Sequence, residues 1–286
     1  MCFMYLLLLL EKYSTGQKVV LGIVFLALLW MFLHYAIKMI EMVYVMRHRK
    51  PLYFHFHPFL KRLGNPEKTI LRNNFSFYTK LTDKQKGYFE HRVASFIQDK
   101  HFIGRNGVAV TIEIQTLISA TAVMLTFGFR DFYIGLIQKI VVYPNEFYSK
   151  LNKKHHKGEF NPKLKTLVFS WEDFKHGYDI SNDKLNLGIH EFAHAIHLNS
   201  MKERDVSSTL FSDSFKELTE LITNKEMLRK NLRSSKYFRD YAFTNQYEFI
   251  AVIIETFIET PSEFRNQFPE VYNKTKQMLN FDFAGY

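Results

Sequence analysis

The sequence predicts an α+β fold, mainly helical with a small sheet, preceded by one transmembrane helix. Three observations predict it. Residues 19–37 are apolar and carry no formal charge. Two short β-rich runs, 140–143 and 166–170, lie in the middle of the chain. Long stretches with helical spacing of apolar residues stand before and after those runs.

The apolar run comes first. At about 1.5 Å per residue, a helix over 19–37 spans about 28 Å, close to the thickness of a bilayer's hydrocarbon core. Lys38 and Glu41, three apart, pair or snorkel at its edge, so the helix continues to residue 46 before Arg47-His48-Arg49-Lys50-Pro51 stops it. A secretory signal peptide is the competing reading. It calls for a shorter apolar core and a small-residue cleavage site, and neither is found here. The earlier apolar stretch, residues 3–10, is too short to span and has no evident role.

Charge sharpens this picture. The chain carries 38 Lys and Arg against 28 Asp and Glu, and the excess is local. Residues 47–105 hold 13 basic and 4 acidic residues, whereas 106–286 hold 22 of each. Basic residues are denser after the apolar helix than before it, which predicts a cytoplasmic location for everything that follows. Lys61, Arg62, Lys68, Arg72, Lys80, Lys84 and Lys86 then face anionic lipid at roughly 1 kcal/mol per charge, or form an ordinary solvated face. No nucleic-acid-binding motif accompanies them. A single cysteine, Cys2, excludes a disulfide framework and any Cys-based zinc site.

Past the basic stretch, residues 91–100 read as the end of a helix and 111–127 as another, with Gly128 as its C-cap. The polar segment 150–165 between the two β runs reads as a solvated hairpin loop. Two long helical patterns follow, 183–199 and 245–260, with Ser181, Asn182 and Asp183 as N-caps for the first.

The first of those helices carries His190-Glu191-Phe192-Ala193-His194, an HExxH motif. Residues four apart share a helix face, so both imidazoles reach one metal ion. Glu191 can take a proton from a metal-activated water and return it to the leaving amine. His197 lies off that face and reads as structural. A third ligand is needed, and Glu248 and Glu255 on the next apolar helix both qualify by spacing. Glu248 also fits a capping box with Asn245, and Glu255 also fits a hydrogen bond to a ligating histidine.

Several stretches resemble the Mlc titration factor A family of zinc peptidases, itself related to the catalytic domain of anthrax lethal factor. Val142-Tyr143-Pro144-Asn145-Glu146-Phe147, Gly158-Glu159, Ser170-Trp171-Glu172-Asp173, the HEFAH helix at 190–194, and Tyr247-Glu248-Phe249-Ile250-Ala251-Val252 with Glu255, Glu259 and Pro261 carry the match in order. The resemblance implies a gluzincin-type domain with one Zn2+ per chain. It implies Glu248, rather than Glu255, as third ligand beside His190 and His194, which leaves Glu255 as a candidate partner of a ligating histidine, and Tyr241, seven residues before Glu248, as a donor to the oxyanion. Where the family has an acidic residue three positions after the second histidine, His197 stands here.

The expected organisation is a segment of unclear role at 1–18, the transmembrane helix at 19–46, a basic juxtamembrane linker at 47–84, a zinc peptidase domain at 85–275 and a tail at 276–286. The expected activity is zinc-dependent hydrolysis of a peptide or protein substrate at the membrane. The alternative is a membrane-tethered regulatory protein that sequesters a partner such as a transcriptional regulator. Membrane lipid around residues 19–50 is the other expected partner, and nucleic acid is not.

Overall fold

The computed structural model describes residues 13–53, 55, 57, 59–149, 153–179 and 185–286. The chain divides into two units, 1–52 and 53–286. The apolar stretch 3–10 and the caps expected at Ser181, Asn182 and Asp183 lie outside the described residues.

In the first unit the described residues form one long helix, α1 (Thr15–His48). The Ser14 side chain accepts from the Gln17 N–H while the Gln17 side chain accepts from the Ser14 N–H, a capping box that starts the helix. Arg49, in the left-handed region, ends it. Mean hydropathy reaches 2.3 within it, so α1 is long and apolar enough to cross a membrane. A signal sequence near an N-terminus meets the same test.

The second unit opens with α2 (Asn65–Asn74), α3 (Ser76–Thr79) and α4 (Asp83–Asp99). The stretch read as a basic linker thus holds α2, α3 and the start of α4, and it buries Leu71, Phe75, Phe77, Tyr78 and Leu81. The charge excess hid the apolar residues interleaved with it. Burying each of those large side chains stabilises the unit by about 1.5–3 kcal/mol.

A four-stranded sheet follows, with β1 (His101–Gly104), β2 (Lys139–Tyr143), β5 (Gly158–Asn161) and β6 (Thr166–Ser170) in the order β1-β2-β6-β5. The first three are parallel and β5 is antiparallel to β6, which makes β5 an edge strand. A separate hairpin pairs β3 (Phe147–Ser149) with β4 (Lys154–His156). The segment expected as a solvated loop therefore contributes two strands. Its Lys and His run has no apolar alternation and becomes β4 by backbone pairing with β3, while β5 pairs with β6, whose Leu167 and Phe169 are buried.

Helix α5 (Ile112–Leu125) connects β1 to β2, with Thr111 as N-cap. Its C-cap is Thr126 rather than the expected Gly128. Gly128 instead admits a close approach of the chain's C-terminal end, since a Cβ there would fall 2.0 Å from the Asn280 carbonyl oxygen. The Asn280 side-chain amide donates to the Gly128 carbonyl at 2.7 Å, which ties the end of the unit to its middle. Arg92 of α4, fully buried, donates to the carbonyls of Thr126, Phe127 and Phe129. These carbonyls belong to the C-cap and the turn that follows α5.

After the sheet come α6 (Trp171–Asp179), α7 (Leu187–Lys202), α8 (Val206–Asn224), α9 (Glu226–Ser234), a 3-10 turn (Asp240–Phe243), α10 (Gln246–Glu259), α11 (Pro261–Gln267) and α12 (Pro269–Leu279). Helices α7 and α10 pack side by side, and α7 also lies against β5. The second unit is mostly helical with a small mixed sheet.

Candidate metal centre

Helix α7 starts at Asn186, whose side-chain oxygen accepts from the Ile189 N–H. Ile189, Phe192, Ala193 and Ile196 are buried and fix the rotation of the helix. Gly188 permits contact with Phe174, since a Cβ would lie 2.6 Å from that ring. The face left over carries His190 and His194. Helix α10 starts at Asn245, which accepts from the N–H groups of Tyr247 and Glu248. Asn245 thus does the capping, and the Glu248 side chain turns to the histidines of α7.

The geometry of the three is specific. His190 Nε2 lies 3.2 Å from His194 Nε2. Glu248 Oε2 lies 3.2 Å from His190 Nε2 and 3.5 Å from His194 Nε2. Two imidazole nitrogens and a carboxylate oxygen aimed at one point repel unless a cation or proton sits among them. Tetrahedral ligands at about 2.0–2.2 Å from a divalent ion stand roughly 3.3–3.6 Å apart, and the observed separations match that edge. Glu248 Oε2 is buried and directed at the two imidazoles, where an ion would sit among the three atoms. The residues fit a divalent metal.

Electrostatics reports the same convergence. Burial opposes charge on His190, yet hydrogen bonds to Glu248 and Glu255 outweigh it and push it up to about 9. Burial likewise opposes ionisation of Glu248, but the two histidines hold its carboxyl well below the usual range. Burial raises Glu191, with His190 and His194 acting against it. A raised carboxyl is what a base working near neutral pH requires. Glu191 is covered by β5: a Cβ on Gly158 would meet its Cγ at 2.7 Å.

Tyr241 projects from the 3-10 turn with its ring 6.3 Å from that of His190. Partial burial and the Glu248 carboxylate push its hydroxyl up to about 12, so it remains a proton donor at neutral pH. His197 lies among the rings of Phe211, Phe215 and Tyr247, away from the cluster. Burial lowers it to about 4, which keeps it neutral.

Glu255 sits behind His190 and outside the convergent set. It is 1% exposed and accepts from the Asn186 backbone N–H and from Arg239 Nη2 at 2.5 Å. His190 Nδ1 lies 3.5 Å away. An Nδ1–H directed at Glu255 leaves Nε2 as the free lone pair. Sequence reasoning missed Arg239. It lies sixteen residues before Glu255, across an irregular turn, where no helical period links the two. Its position two residues before Tyr241 is the one local signal. Glu255→Gln and Arg239→Met are expected to keep a metal site but weaken it about 10–100-fold, with Arg239→Lys recovering part of the loss. Competition titration against a fluorescent chelator measures this, and wild-type affinity in both would remove the pair from the site.

Two packed helices that converge two histidines and a glutamate beside a small mixed sheet form an arrangement found among metallopeptidases. The chain belongs to the glucose-regulated metallo-peptidase M90 family, whose model matches residues 59–279. This is the Mlc titration factor family that the motifs resemble. An uncharacterized protein of Synechocystis is 24% identical over 227 residues, which cover 72% of this chain and 80% of that protein.

Proposed function

We propose that the chain is a membrane-anchored, gluzincin-type zinc peptidase. The observation that carries this reading is the tetrahedral spacing of His190 Nε2, His194 Nε2 and Glu248 Oε2. Nitrogen and carboxylate donors in that number suit zinc with one position left open. Zinc bound there would polarise a peptide carbonyl and acidify a water.

The chain's own groups do the rest. Glu191 takes the proton from the attacking water and hands it to the leaving amine. The Tyr241 hydroxyl donates to the oxyanion as it develops. Glu255, held by Arg239, keeps the His190 ring in register. The outer edge of β5 can pair with an extended peptide and lead it past Glu191, because Gly158 brings that edge onto the carboxylate.

The purified full chain is expected to hold about one zinc. A chelator should abolish hydrolysis of an unstructured protein substrate, and added zinc should restore it. A chain that binds no metal, or that hydrolyses equally after chelation, would refute the reading.

Anchoring rests on α1, and the basic residues after it favour a cytoplasmic catalytic unit. Protease added to intact cells should then leave residues 53–286 uncut, whereas digestion from outside would reverse the topology.

A further inference from the structure

A groove of about 260 Å³ lies between α8, α9 and the start of α10. Its floor is apolar, built from Phe215 and Ile222 of α8, Leu232 of α9, Phe243 of the turn and Phe249 of α10. Phe215, Thr219, Ile222 and Thr223 recur at helical spacing, so α8 turns one continuous stripe towards it. Arg229 and Arg233 stand exposed at the rim.

The charge of this groove is unbalanced. No acidic residue lines it among the described residues. Arg233 rests over the Phe243 ring at 5.1 Å rather than on a carboxylate. The neighbouring Lys230 already holds Glu226 at 2.8 Å, which removes the nearest acid on α9 from use. Two guanidiniums beside an apolar floor are suited to an apolar side chain with a carboxylate next to it. The floor anchors and excludes water, and the planar forks recognise the carboxylate.

Two of the groove's lining residues neighbour metal-site residues along the chain. Phe243 is two residues past Tyr241, and Phe249 directly follows Glu248. Consecutive Cα atoms are about 3.8 Å apart, so the backbone lining the groove at Phe249 lies one residue step from that of Glu248.

We propose that this groove docks a polypeptide segment of the substrate, with an apolar side chain on the floor and flanking acidic side chains on Arg229 and Arg233. The proposal deepens the peptidase reading by assigning it a substrate class, apolar–acidic segments. Docking itself needs no metal, so the two readings fail separately.

The test uses the full chain in nanodiscs of zwitterionic lipid, carrying Glu191→Gln so that the probe stays intact. The probe is a fluorescein-labelled peptide with one Leu-Phe pair flanked by glutamates, followed by anisotropy. Binding should weaken by about tenfold or more in Arg229→Glu/Arg233→Glu, and equally when Leu-Phe is replaced by Ser-Ser or the glutamates by lysines. It should persist after zinc is removed. With Glu191 restored, the double variant should hydrolyse a short uncharged peptide at the wild-type rate, because neither arginine belongs to the metal centre.

Unchanged binding in the double variant, or equal binding of the lysine peptide, would overturn the proposal. So would competition by decanoate as strong as by the unlabelled peptide, which would mark a fatty-acid site. A concentration-dependent dimer abolished by the same double substitution would overturn it in favour of a second copy of the chain. Zinc-dependent hydrolysis without peptide binding in the groove defeats the groove alone. Peptide binding by a chain that takes up no zinc even when zinc is supplied defeats the peptidase reading alone.

Discussion

Glu191→Gln is expected to slow peptide hydrolysis by about 10²–10⁴-fold while leaving the zinc content at the wild-type level. The substitution keeps shape and volume, so the cover of Gly158 over residue 191 is undisturbed, but an amide cannot accept the proton of the attacking water. Zinc retention follows because Glu191 is not one of the three donors that converge. Metal analysis and initial rates on the same preparation check both halves. A Gln variant with more than a tenth of the wild-type rate would take the role of base away from Glu191. Tyr241→Phe makes a useful contrast, since losing a hydroxyl donor to the oxyanion costs about 10²–10³-fold without touching the metal.

The second large effect belongs to Glu248. Glu248→Gln should lose tightly bound zinc, because a neutral amide is a far poorer donor than the carboxylate at 3.2 Å and 3.5 Å from the two imidazoles. A ligand at one hundred times its Kd stabilises a fold by about 2.7 kcal/mol. The zinc-dependent rise in Tm seen for wild type should therefore vanish in the variant. Asn245 already caps α10 with two backbone hydrogen bonds, so a pure capping role for Glu248 predicts a nearly silent change. Zinc kept by Glu248→Gln but lost by Glu255→Gln would exchange the two carboxylates' roles.

What could be read from the sequence depended on how local each feature is. The i, i+4 histidines follow from helix geometry, so the HExxH face was legible outright. Choosing between Glu248 and Glu255 was not possible from spacing, because both lie on the same helix. The choice turns on which side of His190 each approaches, a fact of how α7 and α10 pack. Arg239 was invisible for the same reason: its partner is reached through space across a turn. In the fold, the runs at 140–143 and 166–170 announced β2 and β6 by their β-branched and aromatic residues. β5 has Gly, Glu, Phe and Asn, a composition that becomes a strand through pairing with β6 rather than by its own preference. Strand β1, four residues long, carries too little pattern to separate from a loop. The helices within 65–79 were obscured by a charge count that ignored Leu71, Phe75 and Phe77 between the charges.

The contact of Gly128 with Asn280 has a consequence for the birth of the protein. The hydrogen bond from the Asn280 side chain bridges 152 residues, and the backbone of residue 280 is what lies against the glycine. Ribosomes deliver about 5–20 residues per second, so residue 128 waits roughly 8–30 s for its partner. During that interval HExxH and Glu248 leave the ribosome in turn, while the aromatic cluster in which Phe281 and Phe283 meet Phe77 and Phe127 is still open. A chain cut short before residue 280 lacks the closing contact. Closure of this part of the unit is thereby tied to the synthesis of residue 280, after the metal-site groups have been made.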